Sequence, residues 1–255
     1  MTDVSAKNDL LEYVIALADD ALTLGHRLSE WSSHAPFLEE DLALSNVALD
    51  FIGRARMWYQ YAAELANDGR TEDDFAYLRD CRDFRNLLIH ELPRGDFAVT
   101  IARQYAVDQF NVLYLTALEH SADKTLAAIA AKAIKESRYH LRRSRDWMIR
   151  LGDGTEESHR RLQTALEQLW GYFPEMFQME ALELRLLDQG IAVDRRALRE
   201  TWDTLFDDTL AEATLSRPQS EWQVAGGRAG NHTEHLGFLL AEMQFLQRAY
   251  PGLEW

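Results

Sequence analysis

The chain has 255 residues, enough to bury a sizeable core in one or two domains, and a globular composition that is 47% hydrophobic and 27% charged. Its 27 Lys and Arg against 42 Asp and Glu leave a formal charge of −15, a field that argues against nucleic acid and anionic membrane partners. The lone cysteine, Cys81, excludes an intramolecular disulfide and a cysteine-based metal site.

Apolar residues recur at three and four along most of the chain, and 13 Gly and 5 Pro are too few for a turn-rich β fold. A first helix is predicted from about Asn8 to Trp31, with Leu10, Val14, Leu17, Ala21, Leu24 and Leu28 as its stripe. Pro36 fits the first turn of a second helix that reaches about Ala66, with Leu38, Leu42, Ser45, Leu49 and Ile52 on one side. The stretch from Asn67 to Gly95 reads as short, broken helical pieces. Asp96 and Asp123 are candidate caps for two further long helices, the second stopped by Gly152. Thr155 opens a helix toward Leu187, bent near Gly171 and Pro174. GIAVD turns into a helix at about 195–215. After the loop SRPQSEWQVAGGRAGN, a last helix covers about Thr233–Ala249. Four long helices with accessories make a bundle, read here as one all-α domain spanning the chain.

The N-terminal MTDVSAKNDLLEY lacks a secretory pattern, and no run of about 18 apolar residues occurs. With a single cysteine, the expectation is a cytoplasmic protein.

The sharpest chemical question lies in KAIKESRYHLRR, where Glu136 and His140 stand four apart and share a helix face. Carboxylate-bridged di-iron bundles take a Glu from each of two helices and Glu-x-x-His from each of two others. That motif requires an acid at position 137, and Ser137 stands there instead. With DFIGR of the second helix in the place of the other such segment, Phe51 replaces the Glu and Arg54 the His. A phenyl ring and a permanent cation do not hold iron. Asp50 and Arg54 fit an i,i+4 ion pair. NHTEHLGFLLAEMQ offers His232 and His235, a weak metal pattern against capping and hydrogen bonding. The loop AGGRAG follows no strand, so it fails the context test for a phosphate cradle.

Long ordered stretches carry a more specific signal: LSEWSSHAPFLEEDLALSNVALDFIGRAR, YAAELAN, DFAVTIARQY, AAKAIKESRYHLRRS, GIAVD and GNHTEHLGFLLAEMQFLQR. Through them the chain resembles the C subunits of bacterial phenylacetyl-CoA epoxidases, almost end to end. The resemblance implies a ferritin-like helical fold and a non-catalytic, structural role. The chain would pair with and stabilise a related A subunit that keeps the di-iron ligands. Phe51, Arg54, Ser137 and His140 would be degenerate ligand positions. The implied reaction is O₂-dependent epoxidation of the phenyl ring, with NADPH electrons passing through a separate reductase component that carries FAD and an iron–sulfur cluster. The implied partners are the A subunit and the other components of the complex.

Family-type contacts to the CoA ester at a subunit boundary fall on Asp83, Phe84, Arg85 and Asn86, and on Leu184, Arg185 and Leu186. Arg79, Arg82 and Arg85 gather there in an otherwise acidic chain, with Arg228 as a further candidate; the bland alternative is a solvated face paired to Asp80 and Asp83. Trp58, Tyr59, Tyr61, Trp147 and Trp170 are candidate anchors for the partner, and the chain alone is expected to form homodimers through the same surface. The rival reading is an independent metal-dependent oxygenase built on Glu136, His140, His232 and His235.

Overall fold

The computed structural model describes residues 2–253, with side chains described from Lys7 onward. In chain order the helices are α1 (Thr2–Ser29), α2 (Leu38–Ala66), α3 (Glu72–Tyr77), α4 (Leu88–Glu91), α5 (Phe97–Leu118) and α6 (Lys124–Gly152). They continue with α7 (Glu156–Leu169), α8 (Ala181–Asp188), α9 (Arg199–Glu212), α10 (Glu234–Met243) and α11 (Phe245–Ala249), with short 3-10 turns between. No strand occurs among the described residues. No described helix is long and apolar enough to cross a membrane. The fold separates into two compact units, one formed by the chain up to Pro93 together with the segment from Ala225, the other by Arg94–Val224.

The first unit is built on the pairing of α1 with α2. The predicted α1 stripe is the core face: Val14, Leu17, Ala21, Leu24 and Leu28 are buried. For α2 the expected face is the wrong one. Leu38, Leu42 and Leu49 are 70%, 57% and 64% exposed, and the core face is Leu44, Val47, Ala48, Phe51, Ala55, Trp58 and Ala62. Both registers repeat at three and four, so periodicity alone does not choose between them; the face with the aromatic and small residues packs more closely against α1. The helix also starts two residues later than expected. Phe37 is its extended N-cap, and Glu39, Glu40 and Asp41 offset the positive end of the helix dipole.

In the second unit α5 packs against α6 and α7 and is buried along most of its length. The predicted caps hold: Asp96 accepts from the Val99 N–H at 2.9 Å, Asp123 from Leu126 at 2.9 Å, and Thr155 from Ser158 at 3.2 Å. The helix expected from Thr155 to Leu187 is three pieces. After α7 the chain tightens into a 3-10 helix, Trp170–Phe177, containing Pro174, and resumes at α8. A Cβ at Gly171 would overlap the Trp222 ring, so the indole lies on bare backbone where a regular helix would present a side chain. The last predicted helix is likewise interrupted, at Gln244. That side chain is buried and spends its amide on the carbonyls of Ala76 and Arg79, at 3.1 and 3.0 Å.

The aromatic residues expected to anchor a partner are mostly internal. Trp58, Tyr59 and Tyr61 are buried, and Trp147 packs edge-on against Phe97 at 5.0 Å.

Candidate functional site

Each unit carries its half of the ligand question on its own helices. On α2, Phe51 and Arg54 are both buried, and the Arg54 guanidinium lies over the Phe51 ring, 4.8 Å from its centre. A cation stacked on an aromatic face is a packed, self-consistent arrangement that presents no carboxylate and no imidazole. On α6, Ser137, His140, Ser144 and Met148 form one buried face, while Glu136 sits half-buried beside it. Ser137 and His140 therefore do point into the unit, as their spacing predicts.

The buried polar groups of α5 are not among the residues singled out by spacing. Arg103, Gln104 and Asp108 are buried on this helix, together with Thr100 and Gln109. Asp108 accepts from the Gln104 amide at 2.7 Å and from the Ser144 hydroxyl at 2.8 Å. The sequence carries the signal: FAVTIARQYAVDQF holds five polar side chains, Thr100, Arg103, Gln104, Asp108 and Gln109, that have no reason to be buried unless polar partners meet them. Among the described residues no three His, Cys, Asp or Glu side chains converge as a metal ion would require. Phe51, Arg54 and Ser137, at the positions the resemblance assigns to ligands, supply neither a carboxylate nor an imidazole.

Part of the arginine-rich segment is turned to a buried carboxylate of α1. Arg79 reaches Asp19, which is fully buried on α1 and also accepts from the Tyr59 hydroxyl and, at 2.7 Å, from the Arg85 N–H. Burial pushes the Tyr59 phenol well above its usual value, and the Asp19 carboxylate adds to the effect. Arg228 is bound to Asp20 at 2.6 Å and donates to the carbonyls of Ala16 and Arg85. Asp20 also accepts from the Leu87 N–H at 2.8 Å and lies 3.0 Å from the His90 ring. Burial alone would raise the Asp20 carboxyl; the Arg228 cation, then His90, overturn that and hold it well below the usual carboxylate range.

Glu91 completes this buried set. It lies 2.7 Å from His232 Nδ1, accepts from the Asn86 amide at 2.8 Å, and accepts from the Thr233 N–H. His232 Nε2 faces the Phe84 carbonyl at 2.9 Å, so both ring nitrogens meet acceptors and neither offers a lone pair to a metal. Burial would lower this imidazole, but the Glu91 hydrogen bond and then the Phe84 carbonyl outweigh it and raise the pKa. His235 contributes its backbone carbonyl to Arg27 at 2.8 Å.

Of the proposed CoA-ester contacts in this unit, Phe84 and Asn86 are buried, Asp83 is exposed, and Arg85 is half-buried with its guanidinium on the Arg82 and Phe84 carbonyls. Leu184 and Arg185 are exposed and Leu186 buried on α8 of the second unit. In place of the expected ion pairs, Asp80 pairs with Arg248 at 2.5 Å, and Arg79 hydrogen-bonds the Asp83 backbone carbonyl. AGGRAG is glycine-rich for close approach. A Cβ at Gly227 would overlap the Asn86 carbonyl, and one at Gly230, at φ 78°, would come within 2.5 Å of the Arg82 carbonyl.

The profile of the phenylacetic acid catabolic protein family matches residues 1–255. The chain belongs to that family. It is 51% identical over 248 residues to the C subunit of the 1,2-phenylacetyl-CoA epoxidase of Escherichia coli (strain K12), covering 97% of this chain and all of that protein. The resemblance read from the long matching stretches is thereby shown. The family's ferritin-like helical fold agrees with the all-α architecture.

Proposed function

We propose that the chain is a non-catalytic structural subunit of a phenylacetyl-CoA epoxidase, acting in phenylacetate catabolism by pairing with and stabilising a di-iron catalytic subunit. The observation that carries this reading is the Arg54 guanidinium stacked on Phe51 in the core of α2, where a ligand set needs acid and imidazole. Ser137 on the buried face of α6 removes a further acid. Iron would then reside in the partner, and FAD and the iron–sulfur cluster in a reductase component. His232, held on both nitrogens, argues against the rival metal site with Glu136, His140 and His235.

Pairing needs an apolar surface, and the α2 leucines supply part of one. Leu38, Leu42 and Leu49 lie on one exposed face. Of the residues assigned to the CoA-ester contact, Asp83 and Arg85 in the first unit, and Leu184 and Arg185 in the second, have side chains that are not fully buried. Replacing Arg85 with Glu is expected to weaken CoA-ester binding by the assembled complex, and an unchanged affinity would remove that contact.

Co-expression with the catalytic subunit tests the whole. The two should co-purify with iron and activity, the catalytic subunit alone should aggregate or lose activity, and this chain alone should carry no iron. An active, soluble catalytic subunit without its companion would overturn the proposal.

A further inference from the structure

We propose that the exposed face of α6 is a docking surface for an acidic protein component that binds reversibly to the assembled pair. The inference rests on the reading of the chain as one subunit of a multicomponent assembly. Lys132, Lys135, Arg138, Arg142 and Arg150 are exposed on α6, and the one exposed carboxylate over that span, Asp146, lies within the same arc, one turn from Arg142 and from Arg150. At 100° per residue the five cations fall within an arc of about 120°, in a ridge about 27 Å long. Such a ridge is anomalous in a chain of charge −15.

Its cations are also not neutralised in the way of their neighbours. Elsewhere in this unit the exposed Arg160 and Arg161 pair with Glu157 and the exposed Arg196 with Asp194, and the half-buried Arg217 pairs with Asp203 and Asp207. Lys132, Lys135, Arg138 and Arg142 form no ion pair among the described residues. Arg142 lies over the Tyr139 ring at 5.7 Å, and Arg150 over Trp147 at 5.5 Å. Tyr139 is 49% exposed in the middle of the ridge, so an aromatic anchor is flanked by cations, the composition of a protein-binding hot spot.

Charge decides the occupant. A second copy related by a twofold on this face would set ridge against ridge, with like charges opposed. Nucleic acid and anionic lipid meet the long-range repulsion of the whole chain, whereas a protein with a local carboxylate cluster need only match the ridge. The permanent pairing of subunits calls for apolar surface depleted of charge, which α2 offers; a basic ridge suits a transient encounter whose on-rate is steered electrostatically.

The test uses the co-purified pair of this chain and the catalytic subunit, with each remaining purified component of the epoxidase titrated against it. One component should bind with an affinity that falls at least about tenfold between about 50 and 400 mM salt. The double variant Lys135→Glu, Arg138→Glu should weaken the same component at least about tenfold, while Lys135→Arg, Arg138→Lys retains binding. The proposal is overturned if no component responds to the reversal, or if the reversal dissociates the pair itself. Failure of the pair to form with unsubstituted subunits would instead refute the structural-subunit reading.

Discussion

Replacing Arg228 with Met tests whether the arginines of an acidic chain are retained for its interior. Arg228 gives two bonds to Asp20, at 3.0 and 2.6 Å, and two more to the carbonyls of Ala16 and Arg85. Its side chain is 10% exposed and that of Asp20 16%, so water does little to replace the lost cation. Deleting one member of a buried pair costs about 3–5 kcal/mol, most of it the stranded charge. Asp20 keeps the Leu87 N–H and His90, which places the expected loss near the lower end, about 3 kcal/mol. Urea denaturation followed by far-UV circular dichroism reads this as a lower midpoint. The double variant Asp20→Asn, Arg228→Met should lose less than the sum of the single variants, because no carboxylate is then stranded. Acid titration adds a signed check. Asp20 has a folded pKa far below its usual 3.8, so its stabilisation is present above that value and is lost as pH falls below it. The Arg228 variant should show a shallower acid limb. An Arg228→Met protein within about 0.5 kcal/mol of the parent would refute the argument.

His232 gives the opposite slope. Its folded pKa is raised above 6.5, so its contribution is complete below that pH and declines as pH rises through the folded value. Urea midpoints should therefore drop between neutral and alkaline pH, and His232→Gln should flatten that slope. Ser137→Glu alone, a first step toward a ligand set, should bury a carboxylate and cost about 2–4 kcal/mol without binding iron; metal analysis and thermal melts check both halves. Leu42→Asp with Leu49→Asp should leave the isolated chain within about 0.5 kcal/mol of the parent yet reduce co-purification with the catalytic subunit. Gly227→Ala should destabilise the chain by about 2 kcal/mol or more, read by thermal melting, since its Cβ has no room beside the Asn86 carbonyl.

Helix content, the caps at Asp96, Asp123 and Thr155, the α1 core stripe and the unsuitability of Phe51, Arg54 and Ser137 for iron were all determined by the sequence itself. Each is a local property: a cap satisfies N–H groups two or three residues away, and a missing acid is missing in any fold. Tertiary structure decided what depends on distant partners. It chose between two apolar registers of α2, turned the bend expected near Gly171 and Pro174 into a full interruption against Trp222, broke the last helix at Gln244 where the Ala76 and Arg79 carbonyls intervene, and turned the arginines at 79 and 228 inward to Asp19 and Asp20. Residues 60 and 208 positions apart leave no periodic trace, because a buried charge is recognised only by the opposite charge that folding brings to it.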